Sequence, residues 1–173
     1  MSTIRPQAIS GVRAGTENVI TSWFPSIAST WIGRMLGSLY TLIPFRINGV
    51  PLSYLLFCLP TAPLGAAGFL LLKVAGEKYV LTSHHLQVWH SLGIRMMRQV
   101  ALDDVAEILV ERHPGQAFYK AGNLVLLGAD GSVLVEMAGI SSPEVARQTL
   151  LEARDARGLV QASLHAIGAR QPA

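Results

Sequence analysis

The chain has 173 residues, a formal net charge of +3 and 14% charged side chains against 50% hydrophobic ones, with a mean hydropathy of +0.38. That length holds one small folded domain plus flanking segments, and so low a charge density predicts a membrane segment. The excess charge belongs to residues 1–46, where Arg5, Arg13, Arg34 and Arg46 are opposed only by Glu17. The part from Lys73 onward is balanced, which argues against a nucleic-acid or polyanion binder, whose basic face lies on the domain that binds.

Residues 1–18 lack a sustained apolar period and contain Pro6, Gly11 and Gly15, so they read as an extended arm and not as a signal peptide. From Ser26 to Tyr40, the residues Ile27, Trp31, Met35 and Leu39 recur at helical spacing, with Ile32 and Leu36 beside them. Trp23 and Trp31 are of the type that favours a headgroup layer. Residues 1–46 are therefore expected to form an N-terminal arm carrying an amphipathic helix in a membrane interface. The alternative is a first span from Val19 to Phe45, which would set Arg34 near the bilayer centre at about 3 kcal/mol.

Ile47 to Leu72 is a run of 26 residues without a charge, and about 20 cross a hydrocarbon core. Residues 47–72 are accordingly expected to be one transmembrane helix, kinked at Pro60 and Pro63. Gly65, Ala66, Ala67 and Gly68 form a small-residue patch against which another helix could pack, or else mark a loosely packed span. Cys58 lies in this run and, as the single cysteine, can form no internal disulfide.

After Lys73 the pattern changes to short strands and turns. Strands are expected at Tyr79–Thr82, Leu86–His90, Ile94–Val100, Val105–Arg112, Leu124–Leu127 and Val133–Met137. Ile108 and Val110 lie on one face of the fourth, and Asp130-Gly131 signals a tight hairpin between the last two. The loop His113–Asn123 carries Phe118 and Tyr119. Ser141-Ser142-Pro143-Glu144 starts a C-terminal helix that ends near Arg157, before Gly158, with Ala146, Thr149, Leu150 and Ala153 inward and Arg147, Arg154 and Arg157 toward water. The expected class is α+β, with a small antiparallel β domain over 77–158 closed by its C-terminal helix, and a tail over 159–173.

Tyr79-Val80-Leu81-Thr82, Leu86, the Gly93 turn, Arg95 and Arg98, and Leu102-Asp103-Asp104-Val105 together resemble the pleckstrin-homology-like domains of small bacterial membrane proteins. Some proteins of this kind accompany photosynthetic reaction centres and light-harvesting rings as accessory or assembly components. The resemblance implies a non-catalytic subunit of a larger membrane complex, in an inner bacterial membrane with its β domain cytoplasmic. A membrane-anchored lipid-binding or stress-sensing module is the alternative.

Candidate chemistry is sparse. His84 and His85 are adjacent and point apart, and His90 lacks a Cys or acidic partner for a metal site. Asp103 and Asp104 read as turn residues, and no phosphate loop, nucleophile elbow or HExxH occurs. No catalytic, metal or cofactor residues are therefore assigned. The apolar run contains no histidine, so any contact with pigment-bearing subunits would not use an imidazole ligand. Partner-binding candidates are Trp23, Trp31, Gly65, Gly68, Phe118 and Tyr119, for contact with other subunits and the bilayer.

Overall fold

The structure, a computed structural model, describes residues 17–43, 45–93 and 95–168; the side chains of residues 58, 59 and 164–168 lie outside that description. The expected arm over residues 1–16, Ile94 and the end of the tail fall outside it too. Strand β1 (Val19–Trp23) comes first, and then a 3₁₀ turn (Ile27–Ser29) leads into helix α1 (Trp31–Leu42). Strands β2 (Arg46–Ile47) and β3 (Val50–Pro51) form a small hairpin before helix α2 (Leu52–Ala75). Strands β4 (Glu77–Thr82), β5 (His85–His90) and β6 (Met96–Ala101) follow. Beyond a 3₁₀ turn at Leu102–Asp104 come β7 (Glu107–Glu111), β8 (Ala121–Leu127), β9 (Val133–Ser141) and helix α3 (Pro143–Gly168).

Besides the β2–β3 hairpin, the described strands build two antiparallel sheets, β1-β4-β5-β6 and β7-β8-β9. Alternate residues of each strand point to the same side, so Leu81, Leu86, Val100, Ile108, Leu124 and Met137 meet in one core. Helix α3 closes it with Ala146 and Leu150. The three arginines on α3 do not merely face water. Arg147 Nε donates to Ile108 O at 2.8 Å, Arg154 Nη1 to Ala106 O at 3.1 Å, and Arg157 Nε to Asp103 Oδ2 at 3.4 Å. They pin the helix to β7 and the turn before it. The helix also continues ten residues beyond Gly158, because a glycine inside a helix costs only about 1 kcal/mol relative to alanine and a side chain there would meet open space.

The first large correction concerns residues 19–45. A span from Val19 to Phe45 does not form, because Val19–Trp23 pairs with β4 as an edge strand, Trp23 opposite Tyr79; the helix expected over residues 26–40 forms later, as α1. Thr30 caps the later helix, its Oγ1 accepting from Gly33 N at 3.1 Å, so α1 starts at Trp31.

The second concerns the transmembrane helix expected over residues 47–72, and with it the placement as an integral inner-membrane protein. Among the described residues no helix is long and apolar enough to cross a membrane. The charge-free run does not fold as one element. Asn48 and Gly49 take φ of 50° and 82°, the left-handed conformations of a two-residue hairpin turn, and this sends residues 46–51 into β2 and β3. Only then does α2 begin, and it contains both Pro60 and Pro63.

At the start of β1, Glu17 Oε1 accepts from Thr82 Oγ1 and lies 2.8 Å from His85 Nδ1. The Thr82 hydrogen bond, aided by His85, holds the Glu17 carboxyl below its ordinary value of 4.5. A depressed carboxyl stabilises the fold above the unfolded-state value and loses that contribution as pH falls through the folded-state value. Glu17→Gln is therefore expected to lower the thermal midpoint at pH 7, with the difference from the parent protein shrinking steadily as scans are taken below the ordinary carboxyl value of 4.5. A deficit that does not shrink would show that the charge is not responsible.

Candidate functional site

Helix α1 packs through its glycines and the flanking Leu36, not through the Trp31 and Met35 row that its apolar spacing suggested. Its buried residues are Gly33, Leu36 and Gly37, whereas Trp31 is 68% exposed and Ile32 and Met35 are exposed beside it. Backbone proximity explains the choice. A Cβ on Gly33 would lie 1.9 Å from Ile27 O, and one on Gly37 would lie 2.1 Å from Gly115 O. The helix therefore rests on the 3₁₀ turn and on the loop before β8 through positions that only glycine can occupy.

That loop carries an aromatic cluster. The Phe118 ring stacks on Tyr40 at 4.7 Å and meets Tyr54 and Tyr119 edge-on at 5.5 and 4.8 Å, geometries that aromatic pairs favour. Tyr40 comes from α1, Tyr54 from the first turn of α2, and the other two from the loop, so the cluster binds the helical hairpin to the β domain. Burial raises the Tyr119 phenol above its ordinary value of 10.0, with nearby Tyr40 adding to the effect.

Two apolar cavities flank Ile27 along α2. One, of about 320 Å³, is lined by Leu36, Tyr40, Thr61, Gly65, Phe118 and Tyr119 among others. The second, of about 390 Å³, is bordered by Ile32, Leu64, Ala67, Gly68, Leu71 and Leu72, with Ile27 shared by both. Thr61 Oγ1 donates to Phe57 O at 2.6 Å, so the Tyr40 hydroxyl donates to Thr61 at 2.5 Å. Ser53 Oγ donates to Tyr40 O at 2.6 Å and fastens the start of α2 to α1.

The candidate residues divide accordingly. Gly65, Phe118 and Tyr119 meet at the first cavity, and Gly65 is open, since an added Cβ there would meet nothing within 4 Å. Gly68 is not: its patch is occupied by Ile27 Cδ1, 2.9 Å from such a Cβ, so the close approach that small residues allow is used within the chain. Trp23 is half-buried against the core and serves β1, and Trp31 stands apart on the outer side of α1. Ile27, Tyr40 and Tyr54 belong to the site although no motif marked them. The Asn48-Gly49 hairpin signal is the feature that reveals how Tyr40 and Tyr54 come together, their rings 5.4 Å apart.

Elsewhere, titratable groups are engaged in structural bonds. Tyr79 donates to Glu77 Oε2 at 2.9 Å, Gln161 Nε2 to Asp103 Oδ2 at 2.8 Å, and Ser83 Oγ lies 2.8 Å from His84 Nδ1. His85 and His90 occupy opposite ends of β5. Burial lifts the Tyr79 phenol far above its usual value, with the Glu77 carboxylate adding to the shift. Among the described residues no group of three or more His, Cys, Asp or Glu side chains could hold a metal ion.

These features define an α+β protein of two antiparallel sheets with a C-terminal helix, to which a glycine-docked helical hairpin is attached. No protein-family model, curated protein or solved structure matches the chain. The resemblance to pleckstrin-homology-like domains, and the link to photosynthetic reaction centres and light-harvesting rings, gain no support from those comparisons.

Proposed function

We propose that this protein is a non-catalytic assembly or structural subunit that joins a larger protein complex through its α1–α2 hairpin. The observation that carries the reading is the exposure of α2. Leu55, Leu56, Leu64, Leu70, Leu71 and Val74 are all exposed, with Leu70 at 61% and Leu71 at 67%. At about 100° per residue these six lie within one half of the helix, opposite the side that packs on the chain, and an apolar face that wide is one that a helix buries in its working state. Among the described residues α1, the 3₁₀ turn, β3 and the aromatic loop pack against its other side, and so extended an apolar surface marks an interaction site. The β domain supplies a rigid mount, and the aromatic cluster fixes the hairpin's angle on it. A four-stranded and a three-stranded antiparallel sheet followed by a helix also support the pleckstrin-homology-like reading of that domain.

Native purification of the full chain from its source cells tests the proposal. A second polypeptide in fixed stoichiometry is expected on size-exclusion chromatography with light scattering. Leu70→Lys with Leu71→Lys should release the 18.6-kDa chain as a monomer with unchanged circular dichroism, an affinity loss of at least about a hundredfold for two exposed leucines that the partner buries. Elution of the parent protein alone, or flotation with protein-free lipid vesicles in place of a protein partner, would overturn the reading.

A further inference from the structure

The two sheets leave a cleft between their edge strands β6 and β9, on a surface formed by neither α1 nor α2. Side chains, not a strand, bridge it. Arg98 Nη1 on β6 donates to Leu134 O on β9 at 3.1 Å, and further along β9 Ala138 N donates at 3.3 Å to the hydroxyl of Tyr79, which comes from β4. Two backbone groups of β9 thus face away from its partner β8. The two edges are not hydrogen-bonded to each other as paired strands, and the Arg98 side chain reaches from one to the other. Between them is a cavity of about 290 Å³, lined by Glu77, Val88, Met97, Arg98, Val135 and Glu136.

The chemistry of this cleft is that of strand recognition. Edge strands offer unpaired backbone groups to an incoming extended chain. Val88 and Val135 are buried at its floor, and Met97 is exposed at its rim. Two carboxylates, Glu77 and Glu136, line it against the single guanidinium of Arg98, which is held by a backbone carbonyl in a bond that an incoming peptide carbonyl can replace.

We propose that the β6–β9 cleft binds an extended peptide that adds to the strand edges, seats an apolar side chain over Val88 and Val135, and places a basic side chain between Glu77 and Glu136. The site is separate from the hairpin and does not depend on the assembly role proposed for it.

An acetylated decapeptide alternating valine and lysine serves as the probe, titrated by fluorescence anisotropy with hydrogen–deuterium exchange of the full chain. Slowed exchange confined to β6 and β9 is expected. The double variant Glu77→Gln, Glu136→Gln should bind about tenfold more weakly. Each replacement keeps an oxygen to accept from Tyr79 and from Asn123, so the fold is retained. A peptide N-methylated on its central valines should also lose about tenfold, through lost backbone hydrogen bonds. Absence of protection, protection on α1 and α2 instead, or equal binding of a glutamate-for-lysine peptide or of the N-methylated peptide would overturn the proposal.

Discussion

Gly37→Val is expected to lower the unfolding free energy by about 3 kcal/mol, at the upper end for overpacked sites, and to loosen the hairpin from the β domain. The new Cβ would meet Gly115 O at 2.1 Å and the Tyr119 ring at 2.9 Å. Neither neighbour can withdraw freely. Gly115 holds φ of 84° and itself abuts Arg34 O, where a Cβ would lie at 1.9 Å, and Tyr119 is locked against Phe118. The two backbones are interlocked at glycines on both sides, so relief requires moving the whole helix. Gly65→Ala is the matched control: its Cβ meets nothing within 4 Å, and helix propensity predicts a gain of up to about 1 kcal/mol. Urea unfolding of both variants checks the pair. An unchanged midpoint for Gly37→Val would show that α1 does not rest on the loop.

Asn123→Leu is expected to cost about 3 kcal/mol, because it strands several buried groups in one step. Asn123 is 5% exposed and its neighbour Gln116 1%. Asn123 Oδ1 accepts from Gln116 Nε2 at 2.8 Å and from Gly139 N at 3.0 Å, while its Nδ2 donates to Glu136 Oε1 at 2.8 Å. Gln116 carries the network on, donating to Ala28 O at 3.3 Å and accepting from His113 N at 2.8 Å. The 3₁₀ turn before α1, the aromatic loop and strands β8 and β9 are thus joined through two amides. Leucine leaves the Gly139 amide without its acceptor.

Asn123→Asp separates the two halves of that role. It keeps the acceptor but turns the donor toward Glu136 into a second carboxylate. Like charges raise the folded-state pKa of the pair above the unfolded values. Such groups favour the fold when protonated and disfavour it as pH rises through the folded-state value. The deficit of Asn123→Asp should therefore be larger at pH 7 than near pH 4.5 in chemical unfolding. A deficit independent of pH would show that the donor to Glu136 is not what the site needs.

The β domain was legible because its signals are local. Alternating apolar residues from Tyr79 to Met137, Asp130-Gly131 at the hairpin, and Pro143 at the first turn of α3 each act within a few residues. The strands accordingly appear close to their expected positions.

The residues before Lys73 behaved differently, since there competing signals are settled by distant partners. Val19–Trp23 has no periodicity that marks an edge strand; it becomes one because β4, some 60 residues later, offers an unpaired edge. The face that α1 buries follows from where Gly115 and Ile27 bring their backbones, and a large apolar stripe is left outside. Low charge density, the opening feature of the sequence, predicted a membrane segment, yet among the described residues no helix is long and apolar enough to cross a membrane; the apolar side chains lie instead on exposed faces of α1 and α2. By itself the sequence determined that residues 47–72 are apolar and that a small antiparallel domain follows. Only the tertiary structure decided that this run divides at Asn48-Gly49 into a hairpin and a helix, and that the helix is held to the β domain by glycine contacts and an aromatic cluster. The physical reason is that a backbone turn and a close backbone contact depend on conformation and on partners far along the chain, neither of which hydropathy records.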